Sequence, residues 1–278
     1  MRYRYLFLAL STLWTAGQAQ PESGRDVILG KALVDQRDYP DSINGCGPAS
    51  ILNLLRFSEE PYQMIESRLM GSTEAVKMKH IVDRYFRNRP SVVYPQMKRW
   101  GMHGVATLDL VEGLNDLLAE NQRPSLRGVY LDRADDESVP ELIERCHRLV
   151  HGSLQNGVTP ILSVRSFAVK IERGKEPEWQ TGYHHYLVVT DVVGDPTSIG
   201  FALRASDPFG GREVELFIHR EVNGQGFMAL RGNHDTGKWL SGEPFLQVVA
   251  PGVPSLRPRN LEWFERYFVT ANFLIGDF

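Results

Sequence analysis

The sequence predicts an α+β fold in which a helix-rich first half leads into an antiparallel sheet. Segments whose apolar residues recur at helical spacing lie before residue 155. Short apolar runs that are typical of strands follow them. Parallel strands need crossover connections of a dozen or more residues, and the connections between these runs are shorter. Most strand pairings should therefore be antiparallel, with the helices in a separate part of the fold.

Three segments of the first half have the pattern of helices. Residues 48–57 place their apolar side chains on one helical face, and residues 109–121 repeat that spacing. Residues 138–154 carry the clearest signal, because Ser138 and Glu141 form a capping box ahead of an apolar stripe. The first half should therefore contain at least these three amphipathic helices.

The second half is predicted to supply the strands. Each strand segment is short, apolar and bounded by turn-forming residues. The predicted strands are residues 160–164, 185–193, 200–205, 212–218 and 245–250. Residues 251–258 have the composition of a linker, and residues 261–273 form a final amphipathic segment.

Composition and charge exclude several classes of protein. The chain has 278 residues, of which 42% are hydrophobic and 23% charged, so a disordered or collagen-like chain is excluded. Lys and Arg number 31 against 34 Asp and Glu, which leaves no basic surplus for a phosphate backbone, and we predict no nucleic-acid partner. Two cysteines are too few for a small disulfide-stapled scaffold.

The first 19 residues have the pattern of a secretory signal peptide. Arg2 and Arg4 precede an apolar run of about ten residues, and small residues lead up to Ala19. A membrane-spanning helix needs roughly 18 to 20 apolar residues, so this run is too short to be an anchor. We therefore predict a signal peptide over residues 1–19 and a secreted or periplasmic protein. After signal removal we expect no membrane association.

Cys46 is the first candidate for chemistry. It stands between Gly45 and Gly47, directly before the predicted helix of residues 48–57. The unpaired N–H groups and the dipole of a helix start favour a thiolate, and the same N–H groups can bind an oxyanion. A cysteine at a helix start can also be a small buried hydrophobe, so this interpretation needs a partner residue.

A base and an orienting acid follow in the second half. His184 and His185 begin an apolar strand, where alternation sends their rings to opposite faces, so one of the two can face Cys46. An imidazole there can accept the thiol proton and later protonate the leaving group. Asp207 ends the next strand and can orient the imidazole and stabilise its cation. An Asp-Pro pair such as Asp207-Pro208 is also common in turns. Asp207 is therefore a candidate only because it occurs together with Cys46 and a histidine.

These segments resemble the papain-like cysteine peptidases of the bacteriocin-leader-processing type, peptidase family thirty-nine. The motifs that match are N-G-C-G-P-A-S around Cys46, H-Y-L-V-V-T from His185, and the D-P at Asp207 after a strand. The resemblance covers residues 36–208 and implies a papain-like fold, with a helical N-terminal half packed on an antiparallel sheet. Residues 20–278 would form this domain and its extensions.

The resemblance also implies an activity and a role for each residue. The activity is that of a cysteine peptidase, or a related thiol hydrolase, acting on a peptide or protein substrate without a metal or an organic cofactor. Cys46 would be the nucleophile, His185 the general base and Asp207 the orienting acid. We choose His185 over His184 because the family has an aromatic or aliphatic strand directly after its histidine.

The oxyanion donor departs from the family pattern. The family carries a Gln about six positions before its Cys, and Pro40 occupies that place here. Proline can donate nothing. Gln36, which requires the intervening loop to bulge, and Asn44 are the two candidate amides for this role. Loss of one oxyanion donor costs about 10² to 10³ in rate, so the donor bears directly on activity.

Alternative interpretations remain open at this point. Cys46 and Cys146 could form a disulfide in an oxidising compartment, which would abolish thiol chemistry. His147 and His151 could share a helix face for a metal, although the glutamate of an H-E-x-x-H motif is missing and we predict no metal site. The chain could also be a catalytically weak or inactive secreted binding domain of the same fold, or a Cys-His acyltransferase.

Overall fold

The computed structural model describes residues 31–41, 43–170, 178–220, 229–233, 238–242, 245–257 and 266–278. The predicted signal peptide, residues 1–19, lies outside the described residues. The described helices are α1 (Cys46–Phe57), α2 (Glu60–Arg68), α3 (Glu74–Ile81), α4 (Thr107–Glu120) and α5 (Val139–Gln155). A short 3-10 turn, Gln36–Asp38, precedes α1, and a π-helical turn, Val82–Phe86, follows α3.

The described strands lie mostly in the second half of the chain. They are β1 (Trp100–Gly101), β2 (Gly104–Val105), β3 (Arg127–Tyr130), β4 (Ile161–Lys170), β5 (Glu178–Val193), β6 (Gly200–Asp207), β7 (Arg212–His219), β8 (Ala229–Asn233), β9 (Lys238–Gly242), β10 (Gln247–Val249) and β11 (Arg266–Gly276). The pairs β1–β2 and β8–β9 form separate two-stranded sheets.

The main sheet is a closed antiparallel barrel. Its six strands follow the order β10-β7-β6-β5-β4-β11, and β10 closes the circle by pairing with β11 at Gln247 and Thr270. β3 also pairs with β11, on the C-terminal side of that closing pair. The papain-like α+β fold predicted from the sequence is therefore wrong, because the sheet closes on itself instead of serving as an open layer for a helical half.

The strand that closes the barrel explains the error. β11 coincides with most of the segment of residues 261–273, whose strand character the sequence did not reveal. Its register shifts between Ala271 and Phe273, so Val269, Ala271 and Leu274 belong to one buried cluster while Phe273 joins the other. The bulge interrupts the strict alternation by which a strand is recognised from sequence.

Two apolar clusters stabilise the fold. One contains side chains from all six barrel strands together with the apolar stripe of α5, so it fills the barrel interior. The other joins α1 to α4 with the outer faces of β4, β5 and β11. The alternation of β5 connects the two, because Leu187 and Val189 belong to the interior cluster and Tyr186 and Val188 to the outer one.

Most of the local predictions are confirmed. α1, α4 and α5 coincide with the three predicted helices, and α5 carries the predicted capping box of Ser138 and Glu141. The five predicted strands correspond to β4, β5, β6, β7 and β10, of which β4 and β5 extend well beyond the predicted bounds. The sequence did not predict α2, α3 or β3.

Candidate active site

Cys46 is the first residue of α1 and is partly exposed. The preceding Gly45 makes no side-chain capping bond, so the helix start presents backbone N–H groups beside the thiol. Gly47 allows α1 to begin close to β2, because a Cβ at Gly47 would lie 2.5 Å from Cγ1 of Val105. The local sequence thus places a thiol at a helix N-terminus, as predicted.

His185 and Asp207 meet at one end of the barrel. The ring nitrogen Nε2 of His185 lies 2.8 Å from Oδ1 of Asp207, and both side chains are buried. Val188 of β5 pairs with Ser206 of β6, so the same register places Asp207 diagonally from His185 on one face of the sheet. The strand pairing therefore creates this contact between residues that are distant in sequence.

The Cys46 thiol lies beside the His185 imidazole and is the other group that interacts with the ring. Because Nε2 is bonded to Asp207, Nδ1 is the ring nitrogen that remains for the thiol. Burial lowers the pKa of His185, but the bonds to Asp207 and Cys46 outweigh it and raise the pKa to about 9. The structure thus brings together the three residues that the sequence singled out.

The Asp207 carboxylate is held by further donors. Oδ1 also accepts the backbone N–H of Phe209 at 2.8 Å. Oδ2 accepts from the Arg212 guanidinium, at 3.0 Å from Nη2 and 3.3 Å from Nε. Four donor nitrogens therefore fix both the position and the orientation of a carboxylate that has no exposed surface.

His184 lies on the opposite face of β5 and makes different contacts. Its Nε2 is 2.7 Å from Oγ of Ser163 and 3.4 Å from Oγ1 of Thr107. Burial, with the positive charge of Arg165, holds the pKa of His184 well below its usual value. His184 is therefore a neutral residue within the packing, and His185 is the histidine beside Cys46.

A β-bulge next to the two histidines determines which of them faces Cys46. Between the pairs Arg165–His184 and Phe167–Thr181, β5 has one residue more than β4. Ser166 fills the bulge, since its Oγ accepts the N–H of Tyr183 at 2.8 Å. A slip of one residue would exchange the two faces of the strand, so this bulge helps to fix the register of His185. Sequence reasoning missed it.

The two candidate oxyanion amides lie in different surroundings. Gln36 is buried and packs against the residue before Cys46, because a Cβ at Gly45 would lie 3.1 Å from the Gln36 carbonyl oxygen and 3.2 Å from its Cβ. Asn44 instead donates from Nδ2 to both carboxylate oxygens of Asp41, at 3.0 Å, and to the carbonyl of Met102 at 3.2 Å. The loop before Cys46 does bulge, which brings Gln36 back to the site.

A short N-terminal segment connects the two sides of the site. The N–H of Val34 donates to Oδ1 of Asn53 on α1 at 3.0 Å. The N–H of Gln36 donates to the carbonyl of Pro208 at 2.8 Å, directly after Asp207. Residues 34–36 therefore hold the helix that carries Cys46 against the turn that carries Asp207. No local pattern in the sequence indicates this role.

Cys146 lies in the middle of α5 within the barrel core. Both cysteines are free, so the alternative of a disulfide between Cys46 and Cys146 is not realised in the structure. Burial raises the pKa of the Cys146 thiol to about 12. Cys146 thus behaves as a small apolar side chain.

The described residues offer no clustered metal ligands. His147 and His151 stack with ring centroids 5.8 Å apart, but no group of three or more His, Cys, Asp or Glu in the described ranges is placed to hold a metal ion. No helix among these residues has the length and apolar character needed to cross a membrane.

Comparison of the chain with protein-family models, with curated proteins and with solved structures found no match in any of the three. The chemistry of the site is therefore inferred from its own side chains. These are a thiol at a helix start, an imidazole in contact with it, and a buried carboxylate on the far ring nitrogen.

Proposed function

We propose that this protein is an exported thiol hydrolase, a cysteine peptidase that cleaves peptide or related amide bonds through Cys46, His185 and Asp207. One observation carries the proposal: the imidazole of His185 contacts the Cys46 thiol and binds Asp207 at 2.8 Å. Thiol catalysis uses such a set as nucleophile, base and orienting acid, and here the three side chains follow one another in contact. The proposal needs no papain-like fold, since the same constellation occurs on unrelated folds.

The first half-reaction forms an acyl-enzyme. The Cys46 proton moves to Nδ1 of His185, and the thiolate attacks the carbonyl carbon of the scissile bond. A C–S bond forms while the carbonyl π electrons move to oxygen. The oxyanion then collapses, the C–N bond breaks, and the imidazolium gives its proton to the leaving amine.

The second half-reaction regenerates the thiol. Neutral His185 takes a proton from water, and the resulting hydroxide attacks the thioester carbon. A second oxyanion collapses with cleavage of the C–S bond, and the imidazolium returns its proton to the Cys46 sulfur. The net change is addition of one water across one amide bond.

Two electrostatic features support this mechanism. The pKa of His185 is raised to about 9 against the opposing effect of burial, so the cation that the ion pair requires is favoured at neutral pH. The buried carboxylate of Asp207 binds Nε2, which leaves Nδ1 to exchange a proton with Cys46. The imidazole therefore has the orientation and the charge that the proposed steps use.

The oxyanion would be bound at the start of α1. The backbone N–H of Cys46 is one donor, and the side-chain amide of Gln36 is the second. The burial of Gln36 against Gly45 supports it over Asn44, whose amide is bonded to Asp41 and Met102. Gln36 thus takes the role that the resemblance assigns to an amide before the cysteine.

The test is the pH dependence of iodoacetamide alkylation at each cysteine, read by peptide mass spectrometry. Cys46 should react at pH 6 to 7 at least about tenfold faster in the native protein than in a His185→Ala variant, because the imidazolium stabilises the thiolate. Cys146 is the internal reference, since it is buried and should label only after unfolding. A fluorogenic peptide mixture then measures hydrolysis by the native protein and by Cys46→Ala.

The outcomes separate the alternatives. An ordinary thiol profile at Cys46, unaffected by His185→Ala, would contradict the proposal and favour a binding domain without catalysis. Fast labelling without hydrolysis, but with transfer of the acyl group to added hydroxylamine, would indicate an acyltransferase. Full hydrolysis by Cys46→Ala would remove Cys46 from the mechanism.

A further inference from the structure

The Asp207 carboxylate is shared between two basic side chains. Its Oδ1 faces Nε2 of His185 at 2.8 Å, and its Oδ2 faces Nη2 of Arg212 at 3.0 Å. Arg212 is the first residue of β7 and pairs directly with Asp207 on the neighbouring strand β6, so the two side chains lie on the same face of the sheet. The carboxylate is fully buried, whereas the Arg212 side chain is 40% exposed. The partly exposed Arg212 guanidinium is therefore linked to the His185 imidazole through a buried carboxylate.

We propose that Arg212 is a positioning residue that holds Asp207 in register with His185 and limits how strongly Asp207 stabilises the imidazolium. With Oδ2 bound to the guanidinium, Oδ1 is the oxygen left for the imidazole. The positive charge of Arg212 offsets part of the negative charge that His185 experiences. The consequence for catalysis rests on the proposed function, but the coupling itself can be measured without activity.

The other groups around His185 do not duplicate this effect. Cys46 contacts the imidazole from α1, and Asp207 contacts it from β6. His184, its neighbour on β5, has a pKa held well below its usual value, so its imidazole is neutral at neutral pH. Arg165 acts on His184, on the other face of the strand.

Arg37 is the second cation near Asp207, but it is bonded elsewhere. Its Nε and Nη2 both bind the carboxylate of Asp35, and it affects Asp207 only through the longer-range charge interaction. Arg212 makes direct hydrogen bonds to Asp207 from both Nε and Nη2. Among the described residues, Arg212 is therefore the cation that Asp207 binds besides the imidazole.

The sharing of the Asp207 carboxylate with Arg212 suits the proposed role of His185, whose imidazole must both accept and release a proton. An unshared buried carboxylate would stabilise the imidazolium strongly, and a very stable cation is a poor proton donor to the leaving amine. Arg212 reduces that stabilisation without removing the hydrogen bond that orients the ring. The arrangement therefore keeps the pKa of His185 closer to the pH at which the proposed reaction runs.

The experiment titrates the His185 ring by nuclear magnetic resonance in the full mature chain, with His185→Gln used to assign its signals. Arg212→Gln removes the charge and should raise the His185 pKa by about 0.5 to 1 unit. Arg212→Lys keeps the charge and should shift the His185 pKa less. Arg204→Gln is the matched control, because Arg204 binds Asp191 of the same barrel at 3.1 Å and should leave the His185 pKa unchanged.

A His185 pKa that stays constant or falls in Arg212→Gln, or that rises equally in Arg204→Gln, overturns the inference. If Arg212→Gln loses the circular dichroism of the folded protein, Arg212→Met repeats the comparison with an unbranched stem. The alkaline limb of Cys46 alkylation is the part of its pH profile above neutrality. The midpoint of this limb should move to higher pH together with the His185 pKa.

Failure of the proposed function gives a different pattern. If Cys46→Ala retains hydrolysis while Arg212→Gln still raises the His185 pKa, the proposed mechanism is wrong and the coupling stands. If Cys46 and His185 are both required but Arg212→Gln moves neither the titration nor the alkaline limb, the coupling is wrong and the mechanism stands.

Discussion

The two cysteines of this chain occupy opposite kinds of environment. Cys46 begins α1, is partly exposed and lies beside the His185 imidazole. Cys146 lies in the middle of α5, is 1% exposed and packs among the aliphatic side chains of the barrel core. Burial raises the pKa of Cys146 to about 12, so its thiol keeps its proton at any physiological pH.

The difference shows that the surroundings decide what a thiol does. At Cys46 the free N–H groups of a helix start and an imidazole cation can both stabilise a thiolate. At Cys146 the helix interior has no unpaired N–H groups, and desolvation penalises the charge. Position along a helix therefore separates a candidate nucleophile from a packing residue of the same type.

The largest expected effects come from alanine at each cysteine. Cys46→Ala should lower kcat/KM for peptide hydrolysis by about 10⁴ or more, because no other group replaces the nucleophile. Cys146→Ala should leave kcat/KM within a few-fold while lowering the free energy of unfolding by about 1 to 2 kcal/mol, because it leaves a small cavity. Kinetics with a fluorogenic peptide and urea unfolding measure the two.

The opposite results for hydrolysis in the two variants would contradict this comparison of the two cysteines. Retained hydrolysis in Cys46→Ala would mean that the exposed thiol is incidental. A loss of hydrolysis in Cys146→Ala without any loss of stability would show that the core cysteine has a role that its burial does not explain.

The next largest effect distinguishes the two amides beside Cys46. Gln36→Ala should reduce kcat by about 10² to 10³, the usual cost of one oxyanion donor. Asn44→Ala should have a much smaller effect, since its amide binds Asp41 and Met102. Circular dichroism checks that both variants fold. Equal losses in the two variants would place the oxyanion donor elsewhere.

Local signals account for what the sequence could predict. Ser138 and Glu141 identify the start of α5, and Cys46 between two glycines identifies the start of α1, because caps and helix starts depend on neighbours in sequence. Local patterns also place His185 at the start of one predicted strand and Asp207 at the end of the next, although their contact depends on how those strands pair. Their catalytic roles stay predictions.

Closure of the barrel could not be predicted in this way. It depends on β11, whose bulge at Ala271 and Phe273 breaks the alternating pattern, and on the pairing of Gln247 with Thr270. The bulge opposite Ser166 and the contact of Gln36 with Pro208 are also long-range events. Such contacts are set by tertiary packing, which overrides local propensity.

The pH dependence of stability contrasts His184 and His185. The pKa of His185 in the folded protein, about 9, exceeds the value near 6.5 of an unfolded chain. Its stabilisation is therefore fully present below pH 6.5 and is lost as pH rises toward 9, by about 3 kcal/mol at most. The folded pKa of His184 is lowered instead, so its stabilisation is present above pH 6.5 and is lost as pH falls.

Urea unfolding from pH 4 to pH 10 measures both contributions. His185→Gln should flatten the alkaline side of the stability profile, because the group whose deprotonation costs stability there is gone. His184→Gln should flatten the acid side, where protonation of the native residue favours the unfolded chain. Identical profiles in the two variants would show that the two neighbouring rings do not differ in environment. Opposite changes would show that a single step along β5 separates an imidazole held as a cation from one held neutral.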